Sequence, residues 1–159
     1  MEQPFARRGS RTDEMLELMK KLWGPGWTEF SGDFYSTPRL EMEPTPPRIP
    51  IYVGGLSDIA LRRAARHDGW IGDLISTEAA LQRVDRLRDL RAEKGLTMDD
   101  FTIITPLTDA FTPEHYARAE AGGIQGIITM PWMFYSGPDA TLAEKIDGLK
   151  RFRKDLALD

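Results

Sequence analysis

The feature that most constrains this chain is a fourfold alternation of short apolar runs with helical patterns after residue 50. Short apolar runs between turn signals are typical of strands buried in a parallel sheet. The predicted strands are residues 51–53, 70–74, 101–107 and 125–130. Because parallel strands need long crossover connections, the alternation predicts an α/β protein with helices between its strands.

Caps and stripes mark the predicted helices of these units. Ser and Thr precede each helical pattern, as N-caps do, and the last pattern opens with a capping box. The predicted caps are Ser57, Ser76 or Thr77, Thr112 and Thr141 with Glu144. In the last helix the predicted core side comprises Leu142, Ile146, Leu149, Phe152 and Leu156.

The segment before residue 50 predicts a helix and a hairpin. Thr12 is the predicted N-cap of the helix, whose apolar face includes Met15, Leu18 and Leu22. Two aromatic-rich runs around residues 31–33 predict a small hairpin, and a proline-rich stretch then leads extended into the first strand. The 159 residues form one predicted domain, with four β-α units where a closed barrel needs eight.

Composition excludes several functions. A formal charge of −4 and a pI near 5.3 argue against a nucleic-acid surface, which needs clustered basic residues. The chain has no cysteine, and its two histidines are far apart, so no metal site is predicted. The sequence has neither a membrane-length apolar stretch nor a signal-peptide core, and we expect a cytoplasmic protein.

Four segments carry a resemblance to a known family. They are "RRGSRTDEMLELMKKLW", "FSGDFYS", "PIYVGGLSDIALRRAARHDGWI" and "GIITMPW". In order and spacing they resemble the C-terminal half of luciferase-like monooxygenases, which are flavin- or deazaflavin-dependent oxidoreductases built on an eight-stranded β/α barrel. The resemblance extends over residues 5–156 and implies half of a TIM barrel. It also implies FMN or a deazaflavin coenzyme as cofactor and a small organic molecule as substrate.

The predicted cofactor-binding residues are Gly54, Gly55, Leu56 and Ser57. Glycine lets the backbone approach a phosphate closely, and amides at a helix start favour its negative charge. The resemblance also implies that this loop contacts the phosphate end of the cofactor. The alternative is a structural turn between strand and helix, capped by Ser57.

Barrel geometry suggests a second group of site residues, because active sites gather at the carboxyl ends of barrel strands. Asp73 lies near the end of the second predicted strand, and Met130, Trp132 and Phe134 end or follow the fourth. They are the predicted substrate or ring pocket, where aromatic side chains wall a flat ring. The alternatives are an ordinary loop carboxylate and plain core packing. The carboxylates show no pairing that assigns a general acid and base, so no catalytic residue is predicted.

Two functions remain open at this point. In the first, the chain is a luciferase-like oxidoreductase, either a fragment or a half-barrel that pairs with a second copy, since open sheet edges invite association. In the second, the chain is a noncatalytic binding or assembly module derived from the same half-barrel. The glycine loop favours the first, and the lack of a counterpart to the family's first four strands favours the second.

Overall fold

A computed structural model describes residues 6–157. The chain divides after Pro50 into two compact units.

The first unit contains the predicted helix and hairpin. Helix α1 spans Arg8–Leu22, and strands β1 (Thr28–Ser31) and β2 (Ser36–Leu40) pair antiparallel. The prediction that Thr12 caps α1 is wrong, because the helix begins one turn earlier and the Thr12 Oγ1 donates to the carbonyl of Arg8. No proline lies between Arg8 and Thr12, so the helical hydrogen bonds continue through these residues.

A single carboxylate ties the hairpin turn to α1. Glu14 Oε2 accepts the N–H of Asp33 at 2.9 Å, and Oε1 accepts those of Phe34 and Tyr35 at 2.8 and 2.7 Å. Gly32 lies so close that any Cβ there would collide with the Glu14 carboxylate. The turn therefore depends on a charged acceptor from the helix as well as on its own backbone.

The second unit is a parallel four-stranded sheet with its crossover helices. The strand order is β3-β4-β5-β6, so neighbours in sequence are neighbours in the sheet, which confirms the predicted β-α units. The strands are shorter than predicted in three of four cases. The elements are β3 (Tyr52–Gly54), α2 (Asp58–Ala64), β4 (Gly69–Ile71), α3 (Thr77–Ala92), β5 (Thr102–Thr105), α4 (Pro113–Ala121), β6 (Gly126–Ile127), a 3₁₀ turn (Pro131–Phe134) and α5 (Leu142–Asp155).

The predicted caps are present at three of these helices. Ser57 accepts the N–H of Ala60, Ser76 accepts that of Ala79, and Thr141 forms the capping box with Glu144. Ser76, rather than Thr77, is the cap of α3.

The sheet has one covered face and one open face. The register partners Val53, Trp70 and Ile103 lie on the covered face and are buried. Side chains alternate across a strand, so Tyr52, Ile71 and Ile104 lie on the other face, where they are half-buried or exposed. In a closed β/α barrel this second face is the packed interior.

The predicted core side of α5 is wrong in its first half. Phe152 and Leu156 are buried, but Leu142, Ile146 and Leu149 are 75%, 44% and 48% exposed. Their spacing is that of a core-facing stripe, yet all three side chains remain partly or largely exposed within residues 6–157. The prediction failed because periodicity shows that a face is apolar but not that a partner is present.

We expect Glu14→Ala to loosen the hairpin turn, because three backbone donors lose a charged acceptor. The expected cost is about 2 kcal/mol, the order of magnitude for a hydrogen bond to a charged group. Amide hydrogen exchange of residues 33–35 should accelerate accordingly. The control is Glu17→Ala on the same helix, where only an exposed ion pair with Lys21 is lost and exchange should hardly change. Equal effects of the two substitutions would contradict this account.

Candidate functional site

All the predicted site residues lie at one rim of the sheet. The strands are parallel, so their carboxyl ends share an edge, and Gly55, Asp73 and Phe134 all follow such ends. The glycine loop follows β3 at one side of the sheet, and the 3₁₀ turn follows β6 at the other. Three strand spacings separate them, or about 14 Å. A ligand that contacts both must therefore be long.

The glycine loop has a backbone that requires glycine. Gly55 has φ of +117°, a value that other residues rarely adopt, and a Cβ there would lie 2.9 Å from the Cβ of Ala60. The Gly55 carbonyl accepts the indole N–H of Trp70 at 2.8 Å, and Ser57 then caps α2. No side chain at residues 54 and 55 stands between the backbone and a ligand at the rim.

Charged groups next to the loop are already paired. Asp58 opens α2, and its carboxylate accepts hydrogen bonds from Arg86 at 2.8 Å and Arg62 at 2.7 Å. These two hydrogen bonds, that of Arg86 above all, lower the pKa of Asp58. Both guanidinium groups near the start of this helix are thus paired with carboxylates, Arg62 with Asp58 and Arg86 with Asp58 and Glu93.

Asp73 is exposed at the same rim. Its Oδ1 accepts the N–H of Leu74 at 2.8 Å, and its backbone carbonyl accepts the hydroxyl of Thr105, a fully buried side chain, at 3.2 Å. The loop after β4 is therefore anchored through its backbone, and the carboxylate lies at the rim.

Aromatic residues form a cavity beside the 3₁₀ turn. The Phe134 ring stacks on Phe152 with centroids 5.7 Å apart and meets Phe111 edge to face at 5.4 Å. The cavity measures about 480 Å³, and its lining residues are Phe111, Phe134, Tyr135, Phe152, Asp155 and Leu156. Sequence reasoning missed Phe111, although its position after a strand end was a usable signal.

The other predicted pocket residues lie outside this cavity. Trp132 packs against α5, where its backbone touches Gly148 and Lys145 lies 5.7 Å above its ring. Met130 is exposed just before the turn. The structure thus brings Phe134 into the cavity and leaves Met130 and Trp132 beside it.

Tyr135 and Asp155 are the polar pair of the cavity. The Tyr135 hydroxyl donates to Asp155 Oδ2 at 2.8 Å, and the Arg151 guanidinium lies 4.3 Å from the centre of the tyrosine ring. Burial first, and then the bond to Asp155, raise the pKa of Tyr135. The phenol therefore stays neutral at pH 7 and acts as a hydrogen-bond donor.

The Asp109 carboxylate links the loop after β5 to the start of α3. Asp109, in the loop after β5, accepts the backbone N–H of Thr77 at 2.8 Å and its hydroxyl at 2.7 Å. The hydroxyl bond is the main reason that the pKa of Asp109 is lowered. The loop before the aromatic cavity is thereby joined to the start of α3.

Residues 6–157 contain no cluster of three or more His, Cys, Asp or Glu side chains arranged to hold a metal ion. Over the same residues, no helix combines the length and the apolar character needed to cross a membrane.

Comparison with solved structures shows the class of fold. An F420-dependent secondary alcohol dehydrogenase, solved in complex with an F420-acetone adduct, matches with a TM-score of 0.60 at 15% identity, over 98% of this chain and 50% of that one. DmoA from Hyphomicrobium sulfonivorans matches with a TM-score of 0.56 at 21% identity, over 95% and 43% of the two chains. The predicted partial TIM barrel is confirmed.

Sequence comparison then identifies the family. The model of the luciferase-like monooxygenases matches residues 1–136, and the chain belongs to this family. An uncharacterized protein of Mycobacterium tuberculosis is 40% identical over 96% of this chain and 54% of its own length. Pyrimidine monooxygenase RutA of Allorhizobium ampelinum is 25% identical over 73% of this chain and 33% of its own. The family's members use flavin or F420, a deazaflavin.

The matches extend over only part of each relative. The chain spans about half the length of the first curated relatives and of the solved structures. The structural match and the open sheet face therefore agree in describing part of a barrel.

We expect Asp109→Ala to lower the melting temperature at pH 7, because two donors of Thr77 lose their acceptor. A carboxylate whose folded pKa is lowered stabilises above its unfolded value of about 3.9, and that contribution disappears as the pH falls through the folded value. The difference between wild type and variant should therefore shrink in acid. Asp109→Asn is the control, since it keeps an acceptor oxygen, and at pH 7 its melting temperature should lie between those of wild type and Asp109→Ala. A difference that is constant from pH 7 to pH 3 would contradict this account.

Proposed function

We propose that this chain forms the cofactor-binding half of a flavin- or deazaflavin-dependent oxidoreductase or monooxygenase, with residues 54–57 at the cofactor phosphate. The observation that carries the proposal is Gly55, whose positive φ and closeness to Ala60 exclude a side chain at this position and leave the loop backbone open at the carboxyl rim. Family membership supports it, since members use flavin or F420. A structural turn alone would need glycine too, so ligand binding has to be measured directly.

The length of the rim fits such a cofactor. FMN and F420 both join a flat tricyclic ring to a phosphate through an extended chain. A phosphate at β3 would direct the ring along the rim toward β6, about 14 Å away by strand spacing. Asp73, Met130, Trp132 and Phe134 are our proposed ring or substrate pocket on that path.

In this proposal the cofactor supplies the redox chemistry and the protein supplies binding and orientation. A bound reduced flavin supplies a hydride or activates oxygen, and a bound reduced deazaflavin supplies a hydride. The residues of this chain would bind the phosphate, orient the ring and exclude water. The aromatic cavity around Phe134, with the hydrogen-bonded pair of Tyr135 and Asp155 at its wall, suits a small organic substrate.

A half-barrel requires completion, and we propose that a second copy provides it. Strands β3 and β6 are the sheet edges, and their outer backbone groups are open to pairing. A symmetric dimer would join each β6 to the partner's β3 and form eight strands in a closed ring. The exposed stripe of Leu142, Ile146 and Leu149 would then be covered.

The same exposed surface also favours the alternative function, a noncatalytic binding or assembly module. Contiguous apolar surface marks an interaction site whether or not a cofactor is bound. Cofactor binding separates the two functions, because a module without catalysis has no need of a flavin.

We expect the purified chain to bind FMN or F420 saturably, as followed by ligand fluorescence. Gly55→Val should weaken that binding tenfold or more, because the new side chain strains the loop and obstructs close approach of a phosphate. The matched control is Gly95→Val. Gly95 also has a positive φ, of +68°, but it follows the far end of α3, at the opposite rim.

Three results would count against the cofactor proposal. No binding of either cofactor by the wild type would favour the assembly module. Equal affinity of wild type and Gly55→Val would remove the loop from the site. Equal losses in the two valine variants would show general destabilisation instead.

We expect light scattering to give a mass near twice the 18.0 kDa of one chain. Ile146→Lys should shift the protein to monomer, because it places a charge in the middle of the apolar stripe of α5. Leu96→Lys is the control, since Leu96 is about as exposed but lies beyond the end of α3. A stable wild-type monomer would contradict self-association.

A further inference from the structure

We infer that Trp70 is a positioning residue, whose indole N–H fixes the Gly55 carbonyl and thereby turns the Leu56 amide toward the ligand. The inference deepens the proposed function and rests on it, because it concerns how the phosphate-contacting loop is held. Trp70 lies in the fold's interior and is reached by no ligand at the rim.

The hydrogen bond joins the loop to the most buried layer of the sheet. Trp70 is fully buried on the covered face, between its register partners Val53 and Ile103. Its Nε1 donates to the carbonyl oxygen of Gly55 at 2.8 Å. An indole N–H can only donate, and a buried donor without an acceptor is costly, so the pairing constrains both groups.

Peptide geometry transmits this constraint to the next amide. In a planar trans peptide, the carbonyl of one residue and the N–H of the next point in opposite directions. Because the Gly55 carbonyl points to Trp70 on the covered face, the Leu56 N–H points away from that face. Among residues 6–157 it has no hydrogen-bond acceptor, and it is therefore available to an anion.

The indole is also held at its other end. A Cβ at Gly72 would lie 2.8 Å from the Cη2 of Trp70 and would collide with the Thr105 side chain. The ring therefore fills the space between the β4 rim and the β3 loop. It has no room to swing away from Gly55, so the direction of the Leu56 amide is set by packing before a ligand arrives.

The test compares ligands with and without a phosphate. Binding of FMN and riboflavin, and of F420 and its phosphate-free deazaflavin core, is measured for wild type and Trp70→Phe. The variant should lose about tenfold in affinity for the phosphate-bearing ligand, the equivalent of one hydrogen bond. Its affinity for the phosphate-free ligand should stay the same, which a general loss of packing would not allow.

Two further variants keep the test decisive. Site-specific replacement of Trp70 by benzothienylalanine keeps the ring's size and removes only the N–H, so it serves if Trp70→Phe does not fold. Ile103→Val is the packing control, because it reduces a buried side chain on the same face without touching the loop. It should leave the preference for the phosphate-bearing ligand unchanged.

The outcomes separate the two proposals. If wild type prefers the phosphate-bearing ligand and the Trp70 variants keep that preference, the role of Trp70 is overturned while the phosphate site stands. If wild type binds both ligands of each pair equally, the phosphate site itself fails and the role of Trp70 with it. Loss of the preference in the Trp70 variants alone supports the inference.

Discussion

A parallel sheet needs cover on both faces, because its strands offer no polar side to water, and here only one face has it. Val53, Trp70 and Ile103 are buried on the covered face, whereas Tyr52, Ile71 and Ile104 remain partly exposed on the other. The apolar stripe of α5 is likewise only partly covered within the described part of the chain. Both surfaces are what remains when a β/α barrel is represented by four of its units.

The direction of the strands decides where chemistry can take place. Carboxyl ends of parallel strands share one rim, so the glycine loop, Asp73 and the 3₁₀ turn lie along the same edge although they are far apart in sequence. Hydrogen bonds also hold the loops of this rim in place. Trp70, Thr105 and Asp109 each hold a rim loop by a hydrogen bond from or to a neighbouring element. Such bracing is what a site needs if it is to hold a ligand in one orientation.

The family relationship and the geometry of the sheet are consistent with each other. Luciferase-like monooxygenases are matched over about half their length, and the structure shows the corresponding half of a barrel with its interior face open. The glycine loop belongs to the half that is present, which is why a cofactor role can be proposed for it.

Much of the fold could be predicted from the sequence, because the positions of its strands and helices depend on interactions between residues that are close in sequence. Strand and helix alternation, the caps Ser57 and Thr141, and the hairpin at residues 31–33 follow from periodicity, capping and turn chemistry, which act over a few residues. Tertiary structure alone decided the exposure of Ile146, the Glu14 contacts with the hairpin and the bond between Trp70 and Gly55. These depend on which residues meet in space. Pattern reading identified an apolar face and a glycine turn, and only packing determined whether that face had a partner and what held that turn.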